Sequence, residues 1–252
     1  MSKLSERKVA VVTGASSGIG AATSLALAEN GFHVFAAARR MDRLNDLAKK
    51  HENISTVALD VTDQASVDLL AAEFEVQSLE LLVNCAGGAF DASSVLDSDP
   101  AIWQKTYDVN VIGTVRVVKA LTPALRRSEH GHIVIISSTA GHTAYENGGS
   151  YVAAKHAETS LARTLRLELN GEPIRVTEIA PGMVKTEEFS LVRLGDQTKA
   201  DNVYKGVEAP LVAEDVAEAI RWSVMLPPHF NVDSMVIRPI AQAANHKIHR
   251  TQ

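Results

Sequence analysis

Three observations predict an α/β protein with a doubly wound parallel sheet. Short apolar runs rich in β-branched residues recur at 9–12, 32–38, 54–59, 79–83 and 132–136, each of a length and character suited to a strand buried on both faces. Helical patterns separate them. Small or polar residues stand at the ends of these runs, where open parallel sheets bind ligands: Arg39-Arg40, Asp60-Val61, Asn84-Cys85-Ala86-Gly87-Gly88 and Ser137-Ser138.

The first strand leads directly into Thr13-Gly14-Ala15-Ser16-Ser17-Gly18-Ile19-Gly20, and a small-residue helix follows over 21–30. Strand, glycine turn and helix form the setting of a phosphate-binding loop. Gly14 permits the turn, Gly18 removes a Cβ from the path of a pyrophosphate, and Gly20 lets the helix lie close to the strand. Ser16, Ser17 and Ile19 belong to the same loop, whose helix end offers free N–H groups and positive dipole.

The second strand ends in Ala38-Arg39-Arg40. A site for NAD places an acid near this point to hold the ribose 2′-hydroxyl. Two guanidinium groups here match a 2′-phosphate instead, so NADP is the expected cofactor; the other reading is a solvated pair that opens the next helix. The helix after them spans 41–51, and the third strand ends at Asp60 and Val61. Asp60 has two readings, an acceptor for the adenine amino group or a support for the turn in which Thr62 or Asp63 caps the next helix. Asn84 either borders the ligand or ties strands together.

The chain has 252 residues, 46% of them hydrophobic, with 15 Gly and 8 Pro, and no repeat or low-complexity linker divides it. No apolar run approaches the roughly 20 residues of a membrane span, and residues 1–6 do not read as a signal peptide. The single cysteine, Cys85, excludes an internal disulfide and fits the cytoplasm. As a catalytic thiol it lacks a neighbouring base. The net charge of -5 speaks against nucleic acid or an anionic membrane as partner. The histidines lack metal-ligand spacing, and no metal is expected.

A long helical pattern covers 100–127, with Asn110 among apolar neighbours. A buried amide needs partners; it is either a satisfied core group or the mark of a bent helix facing the active centre. Ser138, after the fifth strand, projects toward the same crevice. Tyr151 and Lys155 stand one helical turn apart, on a helix running to Asn170. An ammonium near a phenol favours tyrosinate and lowers its pKa. The Ser138 hydroxyl suits a carbonyl oxygen.

Thr13-Gly14-x-x-x-Gly18-x-Gly20, Asn84-x-Ala86-Gly87, Asn110, Ser138, Tyr151-x-x-x-Lys155 and Pro181-Gly182-x-x-x-Thr186 together resemble the short-chain dehydrogenase/reductase family, over nearly the whole chain. Cys85 departs from it, standing where the family commonly has asparagine. The resemblance implies a single Rossmann-type domain over 1–252 with seven parallel strands in the order 3-2-1-4-5-6-7, usually in a homotetramer. A cofactor half of about 7–140 would precede a catalytic half of about 141–240 and a polar tail of 241–252. It also implies roles. Tyr151 is the acid in reduction and the base in oxidation. Lys155 lowers the tyrosine pKa and binds the nicotinamide ribose. Ser138 orients the substrate oxygen, and Asn110 holds a water in a relay through Lys155. Val184 and Thr186 contact the nicotinamide carboxamide.

Substrate contacts are expected from the loop between Ser138 and Tyr151, which includes Tyr145, and from a lid over 186–204. Ser138-Thr139-Ala140-Gly141, Tyr145, Glu188-Phe189-Ser190-x-Val192-Arg193 and several tail residues resemble the branch acting on serine, allo-threonine, 3-hydroxyisobutyrate and 3-hydroxypropionate. Arg193 is the expected carboxylate anchor; a structural or surface cation is the other reading. Alternatives are a broad aldehyde or ketone reductase, a 3-oxoacyl carrier-protein reductase and, more remotely, a non-catalytic NADP-binding sensor. The polar tail is expected to be disordered or to pack on another subunit.

Overall fold

The computed structural model describes residues 8–251; the leader reading at 1–6 lies outside the described residues. The first half alternates regularly: β1 (Lys8–Thr13), α1 (Gly18–Glu29), β2 (Phe32–Ala38), α2 (Met41–Ala48), β3 (Ile54–Ala58), α3 (Gln64–Ala72) and β4 (Leu81–Asn84). Next come α4 (Pro100–Tyr107), a π turn (Asp108–Ile112), α5 (Gly113–Arg126) and β5 (Gly131–Ile136). A 3₁₀ turn (Thr139–Gly141), α6 (Gly149–Glu168) and β6 (Ile174–Pro181) follow. The segment after β6 holds β7 (Val184–Lys185), α7 (Phe189–Leu194), α8 (Gln197–Tyr204) and β8 (Leu211–Val212). The chain continues through α9 (Ala213–Val224), β9 (Ser234–Ile237), β10 (Gln242–Ala244) and β11 (Lys247–Ile248).

Seven strands form one sheet in the order β3-β2-β1-β4-β5-β6-β9, with every neighbouring pair parallel. This is the expected Rossmann-type order, with β9 as its seventh strand. Strand alternation builds a core on each face. Val9 and Val11 join Leu70, Phe74, Val117 and Leu121 on one side, whereas Ala10 and Val12 join Leu27, Leu44, Val216 and Ile220 on the other. Ile133 and Ile135 against Val134 and Ile136 repeat the division. Each fully buried aliphatic side chain contributes about 1.5–3 kcal/mol, which explains why these runs carry so few polar residues.

Local signals set the boundaries. Asp63 caps α3 through Ala65 N at 3.0 Å. Asp99 caps α4 through Ala101 N at 2.8 Å, ahead of Pro100 in the first turn. The helix expected over 100–127 is broken by its π turn at 108–112, an extra residue of the kind that collects at functional sites.

The tail departs from expectation. β10 and β11 pair as an antiparallel hairpin that packs back onto its own chain. The Gln242 Oε1 accepts from Met183 N at 2.7 Å, and Asn245 Nδ2 donates to Thr143 O at 2.9 Å. Thr251 N donates to Gly206 O at 2.8 Å. These backbone-directed bonds give a polar segment its partners without an apolar stripe, so its composition concealed the order.

Candidate active site

The carboxyl ends of β1, β4, β5 and β6 open on a cleft of about 670 Å³, where the strand order turns back between β1 and β4. Gly14 has φ +67°, and a Cβ there would lie 2.9 Å from the backbone of Cys85 and Ala86. The left-handed backbone and the close approach of the β4 loop both demand glycine. A Cβ on Gly20 would strike the Gly14 carbonyl, which fixes how α1 starts over the turn. Ser16, Ser17, Gly18 and Ile19 line the cleft. Ser17 makes no side-chain cap bond to α1, so the first-turn N–H groups have no side-chain acceptor. The Thr13 hydroxyl accepts from Cys85 N at 3.1 Å and Ala86 N at 3.0 Å, tying the β4 loop to the glycine turn.

Arg39 and Arg40 stand on the same wall. Arg40 Nη2 donates to Ser16 Oγ and Ser17 Oγ, each at 3.0 Å, and to Glu188 Oε2 at 2.8 Å. Ser17 Oγ donates to that carboxylate at 3.0 Å, and Arg43 Nη1 lies 2.9 Å from its other oxygen. Hydrogen bonding to Arg40 holds the Glu188 carboxyl below its usual range against the opposing effect of burial. One hydroxyl, that of Ser17, and two guanidinium groups thus already hold one anion, and the same donors fit a phosphate. With the uncapped α1 terminus beside them, they fit a phosphorylated dinucleotide.

Asp60 Oδ1 accepts from Thr62 N at 2.9 Å and Thr62 Oγ1 at 2.7 Å, so the turn-supporting reading of Asp60 is realised. Val61, Ala86 and Gly87 line the cleft. Asn84 does not; it lies buried at the end of β4.

Ser138 leaves β5 at the rim. Its hydroxyl donates to Pro181 O at 3.3 Å and accepts from Ala140 N at 3.1 Å. Tyr151 and Lys155 face the cleft from α6. The Tyr151 ring is 8% exposed and meets Phe189 edge-on with centroids 5.5 Å apart. Lys155 Nζ lies 5.6 Å from the Tyr151 ring centre and donates to Ile136 O at 2.9 Å. It also pairs with Glu158 Oε2 at 2.7 Å. The expected acidification of the phenol is reversed: burial raises Tyr151 above its ordinary range, and Lys155 offsets this only in part. The acid beside the lysine adds to the rise. Burial also pushes the Cys85 thiol up to about 12, which removes it as a nucleophile.

Asn110 lies behind the cleft. Its Nδ2 donates to Gly88 O at 2.9 Å and Thr106 O at 2.7 Å, while its Oδ1 accepts from Gly88 N at 3.0 Å. The Thr114 hydroxyl donates to Asn110 O at 2.7 Å. The π turn thereby delivers an amide that pins the loop after β4, and a Cβ on Gly87 would collide with it.

Pro181, Gly182, Val184 and Thr186 line the far wall, with Tyr145 and Arg193 at its outer end. Arg193 Nη2 donates to Asn147 O at 2.9 Å, and its guanidinium lies 5.5 Å from the Tyr145 ring centre. Residues outside the sequence reading also face the cleft: Gln242, Asn245 and Ile248 of the hairpin. Glu158 escaped notice as well, although an acid on the inner face of α6 was a readable signal. Among the described residues no cluster of potential metal ligands occurs, and no helix is long and apolar enough to cross a membrane.

Residues 8–195 match the model of the short chain dehydrogenase family. An uncharacterized oxidoreductase of Mycobacterium tuberculosis is 52% identical over 239 residues, covering 94% of this chain and 93% of that protein. An NADP-dependent 3-hydroxy acid dehydrogenase of Salmonella typhi is 35% identical, covering 96% and 100% of the two chains. A closed form of serine dehydrogenase complexed with NADP+ superposes with a TM-score of 0.90 at 34% identity, covering 96% of this chain and 100% of that one. Fold, sequence and cleft agree that the chain belongs to the short-chain dehydrogenase family.

Proposed function

We propose that the protein is an NADP(H)-dependent oxidoreductase that interconverts an alcohol and a carbonyl, with a small 3-hydroxy acid as substrate. One observation carries the reading: Ser138, Tyr151 and Lys155 meet in a cleft whose other end holds the Ser16, Ser17 and Arg40 anion nest. The relatives named for NADP-dependent 3-hydroxy acid and serine dehydrogenases support the cofactor and substrate class. The assembly implied by the family resemblance is a homotetramer, and the proposed location is the cytoplasm.

The bound nicotinamide supplies or accepts the hydride. The Tyr151 hydroxyl gives its proton to the carbonyl oxygen in reduction and takes it back in oxidation, while Ser138 holds that oxygen in line. Lys155 stabilises the tyrosinate and reaches the ribose hydroxyls. Asn110 holds Gly88, and with it the loop against which the nicotinamide would rest. Gly14, Ser16, Ser17, Gly18, Ile19 and Gly20 would form the seat that holds the pyrophosphate, Arg39 and Arg40 would hold the 2′-phosphate, and Asp60 and Val61 would border the adenine. Asn84 backs the β4 end of this seat. Pro181, Gly182, Val184 and Thr186 would hold the nicotinamide. Arg193 and Tyr145 stand where a substrate carboxylate would reach.

The test is the initial rate of NADP reduction, with NAD in parallel, on L-serine, allo-threonine, 3-hydroxyisobutyrate, 3-hydroxybutyrate and uncharged secondary alcohols. A preference for the acids with NADP supports the reading. Equal or better rates on uncharged alcohols refute the 3-hydroxy acid assignment and leave a general carbonyl reductase. For Arg193→Ala, a KM for the acids raised about tenfold, the worth of one charge-assisted bond, places the guanidinium at the carboxylate; an unchanged KM removes it.

A further inference from the structure

Glu158 is a secluded acid beside the reaction centre. Its side chain is 1% exposed, yet its Oε2 lies 2.7 Å from Lys155 Nζ, which is itself 6% exposed. The remaining inner face of α6 is made of small residues such as Ala154, Thr159 and Ala162. A buried ion pair of this kind is a poor stabiliser, since well-packed apolar residues serve as well or better. The lysine has a chemical reason to be there; the acid needs one of its own.

We propose that Glu158 is a positioning residue that acts through Lys155: it orients the ammonium and balances its charge, and so sets the acidity of Tyr151. This rests on the reading of Tyr151 as the proton donor and acceptor. With Glu158 ionised, Lys155 acts on the phenol as part of a neutral pair. With Glu158 protonated, it acts as a full cation, and the phenol becomes more acidic.

The surroundings allow both states. Burial raises the Glu158 carboxyl to about 7, although Lys155 opposes the rise. Glu178 on β6 adds negative charge from the adjoining strand. Burial also acts on Glu178, but hydrogen bonds from Ser137, Thr159 and Ser234 and the proximity of His142 outweigh it, so this acid stays ionised. Cys85, beyond β4, stays a neutral thiol near neutral pH. Tyr151 completes the charged and titratable groups around the pair, with Arg193 approaching the phenol from α7. Of these groups, Glu158 is the one whose charge changes near neutrality and lies against Lys155.

The experiment is a tyrosinate absorbance titration of the full chain without cofactor or substrate, with the Tyr151→Phe curve subtracted to isolate one phenol. In Glu158→Gln, which keeps shape and loses charge, the Tyr151 midpoint falls by about one unit or more, and Glu158→Asp restores part of the difference. The kcat profile shifts toward acid by the same amount on whichever substrate is turned over. Midpoints for Gln, Asp and parent that agree within about 0.2 units, well below any one-partner effect, overturn the proposal and leave Glu158 as a packing partner. If Gln does not fold, Asp alone decides, because its shorter arm withdraws the charge from Nζ and the midpoint must then move downward. Tyrosine titration needs no turnover, so a protein inactive on every alcohol would refute the proposed function and leave this result standing.

Discussion

Glu188 holds Arg40 through two oxygens, with Oε2 to Nη2 at 2.8 Å, although the two residues are 148 positions apart. The bond joins the end of β2 to the segment that carries Phe189 and Arg193, and it uses the donors proposed for the 2′-phosphate. A bound phosphate must displace the carboxylate or share its donors. Arg40 is 41% exposed, so solvent screening limits the pair to about 0.5–1 kcal/mol. Glu188→Ala is therefore expected to tighten NADP binding about two- to fivefold and to leave NAD binding unchanged. Calorimetric titration with both cofactors measures this, and weaker NADP binding in the variant would show that the carboxylate assists the phosphate.

Charge reversal at the neighbouring position tests cofactor choice. Arg39→Asp and Arg40→Asp are each expected to reduce the ratio of kcat/KM for NADP over NAD by about ten- to a hundredfold, the worth of one charge-assisted bond. The larger loss is expected at Arg40, which alone of the two contacts Ser16 and Ser17. An unaltered ratio in both variants sinks the assignment of these arginines.

Tyr151→Phe removes the proton donor and keeps the ring that packs on Phe189. Turnover should fall by at least about a hundredfold, with NADPH fluorescence titration unchanged. Activity within tenfold of the parent would falsify the role of Tyr151.

Glu178 gathers Ser137 Oγ at 2.5 Å, Thr159 Oγ1 at 2.6 Å, Ser234 Oγ at 2.8 Å and His142 Nε2 at 2.9 Å. Its folded pKa is depressed. The stability it confers is therefore complete above the unfolded value of 4.5 and lost as pH falls below it. Glu178→Gln should lose about 2–4 kcal/mol at neutral pH, the scale of a broken buried charged network. Denaturation curves of variant and parent should converge as the buffer is acidified. A constant gap across that range would place the cost in packing instead of charge.

The parallel strands, the glycine turn and the composition of the cleft were readable because each depends on local chemistry, whereas the sheet order came with the family resemblance. Strand alternation, the φ demanded at Gly14 and the reach of Arg40 all follow from residues near in sequence. What escaped depends on distant encounters. No local pattern reports that Glu188 meets Arg40, that Gln242 folds over Met183, or that Glu158 weakens the influence of Lys155 on Tyr151. The reading of Asn110 as the mark of a bent helix was closer, since a lone amide in an apolar stretch demanded a partner, though not which one.

The extra residue in the helix between Asp108 and Ile112 makes chain length itself a functional quantity at that spot. The wide turn takes up that residue locally, so deleting one of the five lets the segment close to an ordinary α turn between α4 and α5. Asn110 would then swing off Gly88, and the loop it restrains would lose its clamp without any chemically reactive side chain having been removed. Loss of a single codon here should do more harm than most substitutions, and its harm should appear as cofactor binding lost before folding is lost.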